Sequence, residues 1–242
     1  MDKLFFDTVR PMFTGLKQHQ VEGCEKIIEY AAKRGTSRLH LAYILATTYH
    51  ETAKWMQPIR EGARRYGPSY SDASARRAVA SIHAKGIIRT NYALPAGPYN
   101  QSYYGRGLVQ ITWYDNYKKF GIAKNPDKAL EWDTALDIMF RGMEKGMFTG
   151  KSLSMISSTA DYTKARAMIN GDVRKNGRRI ANEAEVFYKA LKNYEPGQVK
   201  AAPVAEPKPE PQTNGEDKET QNERDNSVDR SFAPRWWPFR SN

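Results

Sequence analysis

Along the first 195 residues, apolar side chains recur at three- and four-residue intervals, interrupted by short polar runs rich in Gly, Ser, Thr and Asp. This is a helical rhythm. Gln18 to Lys33 keeps the spacing, with Val21, Cys24, Ile28 and Ala31 on one stripe, and Gly35 stops it. Thr36 and Ser37 then offer caps for a helix from Arg38 to about His50. Leu39, Leu41, Ala42, Ile44, Leu45 and Ala46 make that segment apolar nearly all round, which predicts a central, enclosed helix. Ser71 or Asp72 is placed to cap a helix running to Lys85 and ended by Gly86. Trp132 to Lys145 sets Leu136, Met139, Phe140 and Met143 on one face, and a last helix is predicted from Gly177 to Lys192. Leu108 to Trp113, short and following a glycine pair, is the one strand candidate. The expected class is mainly α with a small β element.

After Glu195 the pattern breaks. Pro196-Gly197 leads into a Pro/Ala/Glu stretch at 202–211 and then a Gln/Asn/Glu/Asp-rich run to Asp229. Such a segment buries too little apolar surface to offset its ordering entropy, so residues 196–231 are expected to be a disordered linker. Residues 232–242 end the chain with Phe232, Trp236, Trp237, Phe239, Arg235 and Arg240, a combination suited to weak contact with an anionic membrane surface. Two prolines, Pro234 and Pro238, count against a regular amphipathic helix there. Residues 1–195 are expected to be the folded body.

Charge sharpens the division. The net charge is +11, but residues 1–195 hold 31 basic and 19 acidic groups, a net of +12. A body this basic is drawn to polyanions, among them nucleic acid, anionic lipid and bacterial wall polymers. Cys24 is the single cysteine, which excludes an internal disulfide, and its place on an apolar stripe predicts a buried thiol. The first residues lack a signal-peptide run and no stretch is long and apolar enough to span a bilayer, so a cytoplasmic chain that reaches a wall by another route is expected.

Four segments could carry chemistry. His50-Glu51-Thr52 closes the apolar helix, where unsatisfied carbonyls and partial negative charge favour a neutral carboxyl. That suits a general acid, although a surface glutamate after a core helix reads equally well. A zinc-protease motif is excluded, since the second histidine of HExxH is missing. Glu61, in Pro58-Ile59-Arg60-Glu61-Gly62, could supply a second carboxylate, or it could form a surface ion pair with Arg60. Asp72 is its rival, with an ordinary helix start as its plainer role. The segment from Tyr103 to Tyr117 combines Gly105 and Gly107 with aromatic rings and with Gln110, Thr112 and Asn116, a set suited to sugar rings, hydroxyls and acetamides. The fourth, Ala165-Arg166-Ala167-Met168-Ile169-Asn170-Gly171-Asp172 followed by Asn176-Gly177-Arg178-Arg179, could equally be a helix closed by Asn-Gly.

These blocks, in this order, resemble the family 19 glycoside hydrolases, the chitinase group that includes many phage and prophage endolysins. The resemblance covers nearly all of residues 12–193 and is strongest at His50-Glu51-Thr52, at Tyr103 to Tyr117 and at Ile169-Asn170-Gly171, with Asn125-Pro126 and Gly142 to Gly150 in place. It implies a two-lobed, lysozyme-like, mainly helical fold with a cleft, and a catalytic domain spanning 1–195. It implies that Glu51 is the general acid, that Thr112 helps to hold the attacking water, and that Gln110, Asn116 and Asn170 line a sugar cleft. His50, Tyr103 and Tyr104 are expected to bind substrate beside them. The chain departs from the plant members in having no disulfides and no counterpart of the loop that carries their second glutamate. Glu61 fits the shorter-loop bacterial and phage members. Asp172 stands where a glycine is common in the family.

The expected reaction is single-displacement hydrolysis of a β-1,4-linked N-acetylhexosamine polymer by a monomer, with no metal or organic cofactor. Peptidoglycan is favoured over chitin by the basic body. A non-catalytic sugar-binding protein is the alternative that loss of a carboxylate would indicate, and both are retained. Specific nucleic-acid binding rests on charge alone and is not expected.

Overall fold

Ser37 and Ser71 act as their contexts predict. The Ser37 side chain accepts from the His40 N–H at 3.2 Å and starts helix α3 (Arg38–Glu51), and Ser71 accepts from the Ser74 N–H at 3.2 Å and starts α4 (Asp72–Ala84). A computed structural model describes residues 3–197. The chain is mainly helical: besides α3 and α4 it forms α1 (Lys3–Val9), α2 (Gln18–Lys33), α5 (Tyr114–Lys119), α6 (Trp132–Glu144), α7 (Tyr162–Ala165) and α8 (Arg178–Ala190), with short 3-10 turns between them. Residues 198–242 hold most of the expected linker and all of the aromatic end, and both expectations lie outside the described residues.

Helix α3 is the axis of the body. Every residue from Leu41 to Tyr49 is buried, because the helix is packed on several sides. Helix α8 lies along it, and α1 closes on α8 through a Phe5–Phe187 stack with ring centroids 6.4 Å apart. Burying Leu41, Ile44 and Leu45 completely contributes about 1.5–3 kcal/mol each relative to exposure. Cys24 is buried in this core, and burial pushes its thiol far above its ordinary value. A second, smaller cluster joins Ala75 and Val79 of α4 to Ile88, Tyr92, Ala93 and Tyr104. No helix among the described residues is long and apolar enough to cross a membrane.

The β element differs from its expected position. Strand β1 (Ile59–Arg60) pairs antiparallel with β2 (Arg106–Gly107), in the register Ile59↔Gly107 and Arg60↔Arg106. Residues 108–110 turn instead of extending, and Arg106 and Ile111 exchange backbone hydrogen bonds across that turn. Gly107 at φ +85° and Gln110 at φ +51° bend the chain back, which a continuous strand from 108 to 113 would forbid. The apolar run reflects burial on both sides of a tight loop, not pairing in a sheet.

Left-handed backbone is concentrated around two segments. Ala53, Lys54 and Met56 follow α3 at φ +48°, +74° and +54°, and Gln110 and Trp113 have φ +51° and +74°. Non-glycine residues hold such angles only where the surroundings over-determine them. Here Gln20 donates to the Lys54 carbonyl at 2.9 Å, and the Thr52 hydroxyl accepts from the Met56 N–H at 3.0 Å. Gly23 lets α2 press on this loop, since a Cβ there would overlap the Met56 carbonyl.

Candidate active site

Glu51 is the last residue of α3, and its side chain is 5% exposed. The buried Arg166 guanidinium donates to its carboxyl at 2.5 Å, and to Asp172 at 2.5 and 3.2 Å. Asn176 donates to Asp172 at 2.5 Å as well. One cation thus joins two carboxyls drawn from α3 and from the turn before α8. Burial pushes the Glu51 carboxyl above its ordinary value, and the opposing pull of Arg166 does not cancel that effect. Burial also works to raise Asp172, but the bonds and charge of Arg166 outweigh it and hold Asp172 below the usual carboxylate range. The two carboxyls on one arginine are thus shifted in opposite directions, Glu51 up and Asp172 down.

His50 lies beside this group. Its Nδ1 is 2.6 Å from the Arg179 guanidinium, and burial together with Arg166 and Arg179 pushes the ring down to about 3. The imidazole is neutral at physiological pH and accepts from Arg179.

Glu61 follows β1 directly and is 5% exposed. Its backbone N–H donates to the Gly105 carbonyl at 2.7 Å, and its Oε2 accepts from the Gly105 N–H at 2.9 Å. Its Oε1 accepts from the Tyr92 hydroxyl at 2.7 Å. A Cβ at position 105 would lie 3.1 Å from Glu61 Oε2 and 3.0 Å from Gln110 Oε1, so a glycine admits both side chains. Burial pushes the Glu61 carboxyl up, against the Tyr92 and Gly105 bonds and the charge of Arg106. Arg60 does not pair with Glu61: it donates to Asp127 at 2.6 Å.

Asp72 is committed elsewhere. It accepts from Tyr104 at 2.6 Å and from Arg76 at 2.7 Å, and these partners outweigh burial and lower its carboxyl. Its position is the first turn of α4, the plainer of its two expected roles.

The remaining expected residues divide into two groups. Thr112 is buried and donates to the Gln110 carbonyl at 2.9 Å, which leaves its oxygen to accept. Asn170 is buried directly after the Arg166 turn, and its N–H donates to the Arg166 carbonyl at 2.9 Å. The others make hydrogen bonds within the protein. Tyr103 and Tyr104 are 2% and 0% exposed, with hydroxyls on the Ala123 carbonyl and on Asp72, so neither ring offers a face to a sugar. Gln110 spends its amide N–H groups on the Ile59 and Gly107 carbonyls, both at 3.0 Å. Asn116 donates to the Thr112 carbonyl at 2.8 Å and accepts from Lys119 at 3.2 Å. The Tyr103–Tyr117 segment shapes the site mainly by holding Glu61 and Thr112.

Tyr92 had no sequence signal. Arg166 lies in the segment the sequence singles out from Ala165 to Asp172, but only the fold buries it between Glu51 and Asp172. Among the described residues, no group of three His, Cys, Asp or Glu side chains is placed to hold a metal ion.

No family model and no curated protein sequence matches the chain. Among solved structures it is similar to chitinase C from Streptomyces griseus, at 18% identity and TM-score 0.47, with 82% of this chain and 81% of that one covered. A mutant of chitinase C gives 17% identity and TM-score 0.46, covering 82% and 95% of the two chains. A bacterial family 19 chitinase gives 21% identity and TM-score 0.39, covering 82% and 97%. Values this low leave activity to be argued from the residues themselves.

Proposed function

We propose that the chain is a glycoside hydrolase that cleaves β-1,4 bonds of an N-acetylhexosamine polymer with inversion. The observation that carries the reading is the pair of buried carboxyls, Glu51 at the end of α3 and Glu61 directly after β1, each held by its own donors. Glu51, raised by burial, delivers a proton to the leaving glycosidic oxygen. Glu61 accepts a proton from water on the opposite sugar face, and its two hydrogen bonds aim it. Thr112, with its own proton engaged, accepts the second water hydrogen. The strained turns after Glu51 and around Gln110 keep these groups in place.

Peptidoglycan is the proposed polymer, because a body with net charge +12 over residues 1–195 is attracted to an anionic wall. That places the chain in a lytic, endolysin-type role, with the monomer as the working form. Chitin is the competing substrate. Incubating the protein with purified peptidoglycan and with chitin oligomers, then identifying the new reducing-end sugar by mass spectrometry, decides between them. Release from chitin alone overturns the peptidoglycan reading, and release from neither overturns the enzyme reading.

A further inference from the structure

We propose that Asp127 is the positioning residue of the Glu61 carboxylate, strapping strands β1 and β2 together through Arg60 and Arg106. The inference rests on the reading of Glu61 as the base. Arg60 and Arg106 are direct register partners on a sheet of only two strands. Like charges placed opposite one another drive such a pair apart. Asp127 lies across them, with Oδ2 accepting from Arg60 at 2.6 Å and Oδ1 from Arg106 at 2.8 Å. The residue after Arg60 is Glu61 and the residue before Arg106 is Gly105, the two that bond each other through N–H and carboxyl. A strap on one residue pair therefore sets the alignment of the next.

The turn that carries Asp127 packs closely on β2, while the Asp127 side chain itself is 47% exposed. Asp127 belongs to the 3-10 turn Pro126–Leu130, and this turn packs so closely on β2 that a Cβ at Gly107 would lie 2.7 Å from the Ala129 carbonyl. Arg106 is 3% exposed and its other donors are committed to the Ser102 and Tyr104 carbonyls and the Tyr117 hydroxyl. Asp72 reaches Arg106 only at 3.5 Å and is itself engaged by Tyr104 and Arg76. Asp127 is the nearer anion.

Asp127 also screens. Besides burial, the groups that act on Glu61 are the Tyr92 hydroxyl, the Gly105 N–H and the Arg106 charge. Neutralising Asp127 leaves more of the Arg106 charge to act on Glu61, which favours its ionised form. A base that ionises more readily moves the acidic limb of the kcat/KM profile to lower pH.

The test is Asp127→Asn in the full chain, acting on whichever polymer the wild type cleaves. The expected result is a kcat loss of about tenfold with KM within about twofold, and an acidic limb roughly half a pH unit lower. Asp127→Glu should recover part of kcat. A kcat loss that only follows the folded fraction, with the limb unmoved, makes Asp127 structural and overturns the proposal. If Asp127→Asn does not fold, Asp127→Ser, which also removes the charge, replaces it, and the limb must again move down. Glu61→Gln separates the two readings. Normal turnover in that variant removes Glu61 as base, whereas loss there with an unmoved Asp127→Asn profile removes Asp127 alone.

Discussion

Replacing Arg166 with Met keeps an unbranched side chain of most of the volume but removes the cation between Glu51 and Asp172. Three charge-assisted hydrogen bonds disappear, one to Glu51 and two to Asp172. Breaking a buried ion pair by deleting one partner costs about 3–5 kcal/mol. Asp172 keeps Asn176 and is 15% exposed, so the lower end of that range applies, about 3 kcal/mol near neutral pH. In a body of this size that is a fall in Tm of roughly 6–12 °C. The pH dependence discriminates further. Glu51 titrates above its ordinary value in the folded chain, and without Arg166 it rises further. A group raised in this way contributes stability that is present below its unfolded value and lost as pH rises through the folded value. Asp172 is held low, so its contribution is present above its unfolded value and lost as pH falls; the variant forfeits it. Both effects make the variant's deficit largest in base and smallest in acid. Urea unfolding of wild type and Arg166→Met at about pH 3, below the unfolded value of an aspartate, and at about pH 8 measures it. A deficit of equal size at both pH values, or one under about 1 kcal/mol at the higher, refutes the linkage of the two carboxyls through Arg166.

Glu51→Gln should keep the fold, since its amide oxygen still accepts from Arg166, while hydrolysis falls by about 10²–10⁴-fold; near-normal turnover would remove Glu51 as the acid. Glu61→Gln should lose turnover severely and Asp72→Asn should stay within a few-fold, because Asp72 is already bound to Tyr104 and Arg76; parallel kinetics rank the two, and the reverse order moves the base. Thr112→Val should give an intermediate loss in kcat, since it removes one water-orienting oxygen and leaves both carboxyls. A chain ending at Glu195 should hydrolyse soluble fragments like the full chain yet fail to co-sediment with anionic vesicles at low salt; equal sedimentation assigns that binding to the basic body.

Much of the helical framework was legible because caps and spacing act locally. Gln18–Lys33 was read to the residue, and the starts of α3 and α4 follow from one serine each. The enclosed character of α3 was equally plain, since a helix apolar on all sides has to be surrounded. The short α1 and α5 carried too few turns to stand out, and each is made by what it packs on or follows. The 108–113 segment misled because an apolar β-branched run reports burial, whereas pairing depends on positive φ at Gly107 and Gln110, a property of the folded turn.

Glu51 and Glu61 could be singled out by sequence, one from its helix end and both from a resemblance, but their environments could not. Whether a carboxyl carries or surrenders its proton depends on donors brought from far along the chain: Arg166 for Glu51, Tyr92 and Gly105 for Glu61. The same long-range placement buries the rings of Tyr103 and Tyr104, which sequence alone offers as sugar contacts. Helix starts and stops depend on neighbours within a turn or two, so the sequence alone determines them. Desolvation and ion pairing depend on which distant side chains share one buried volume, and that only the tertiary structure decided.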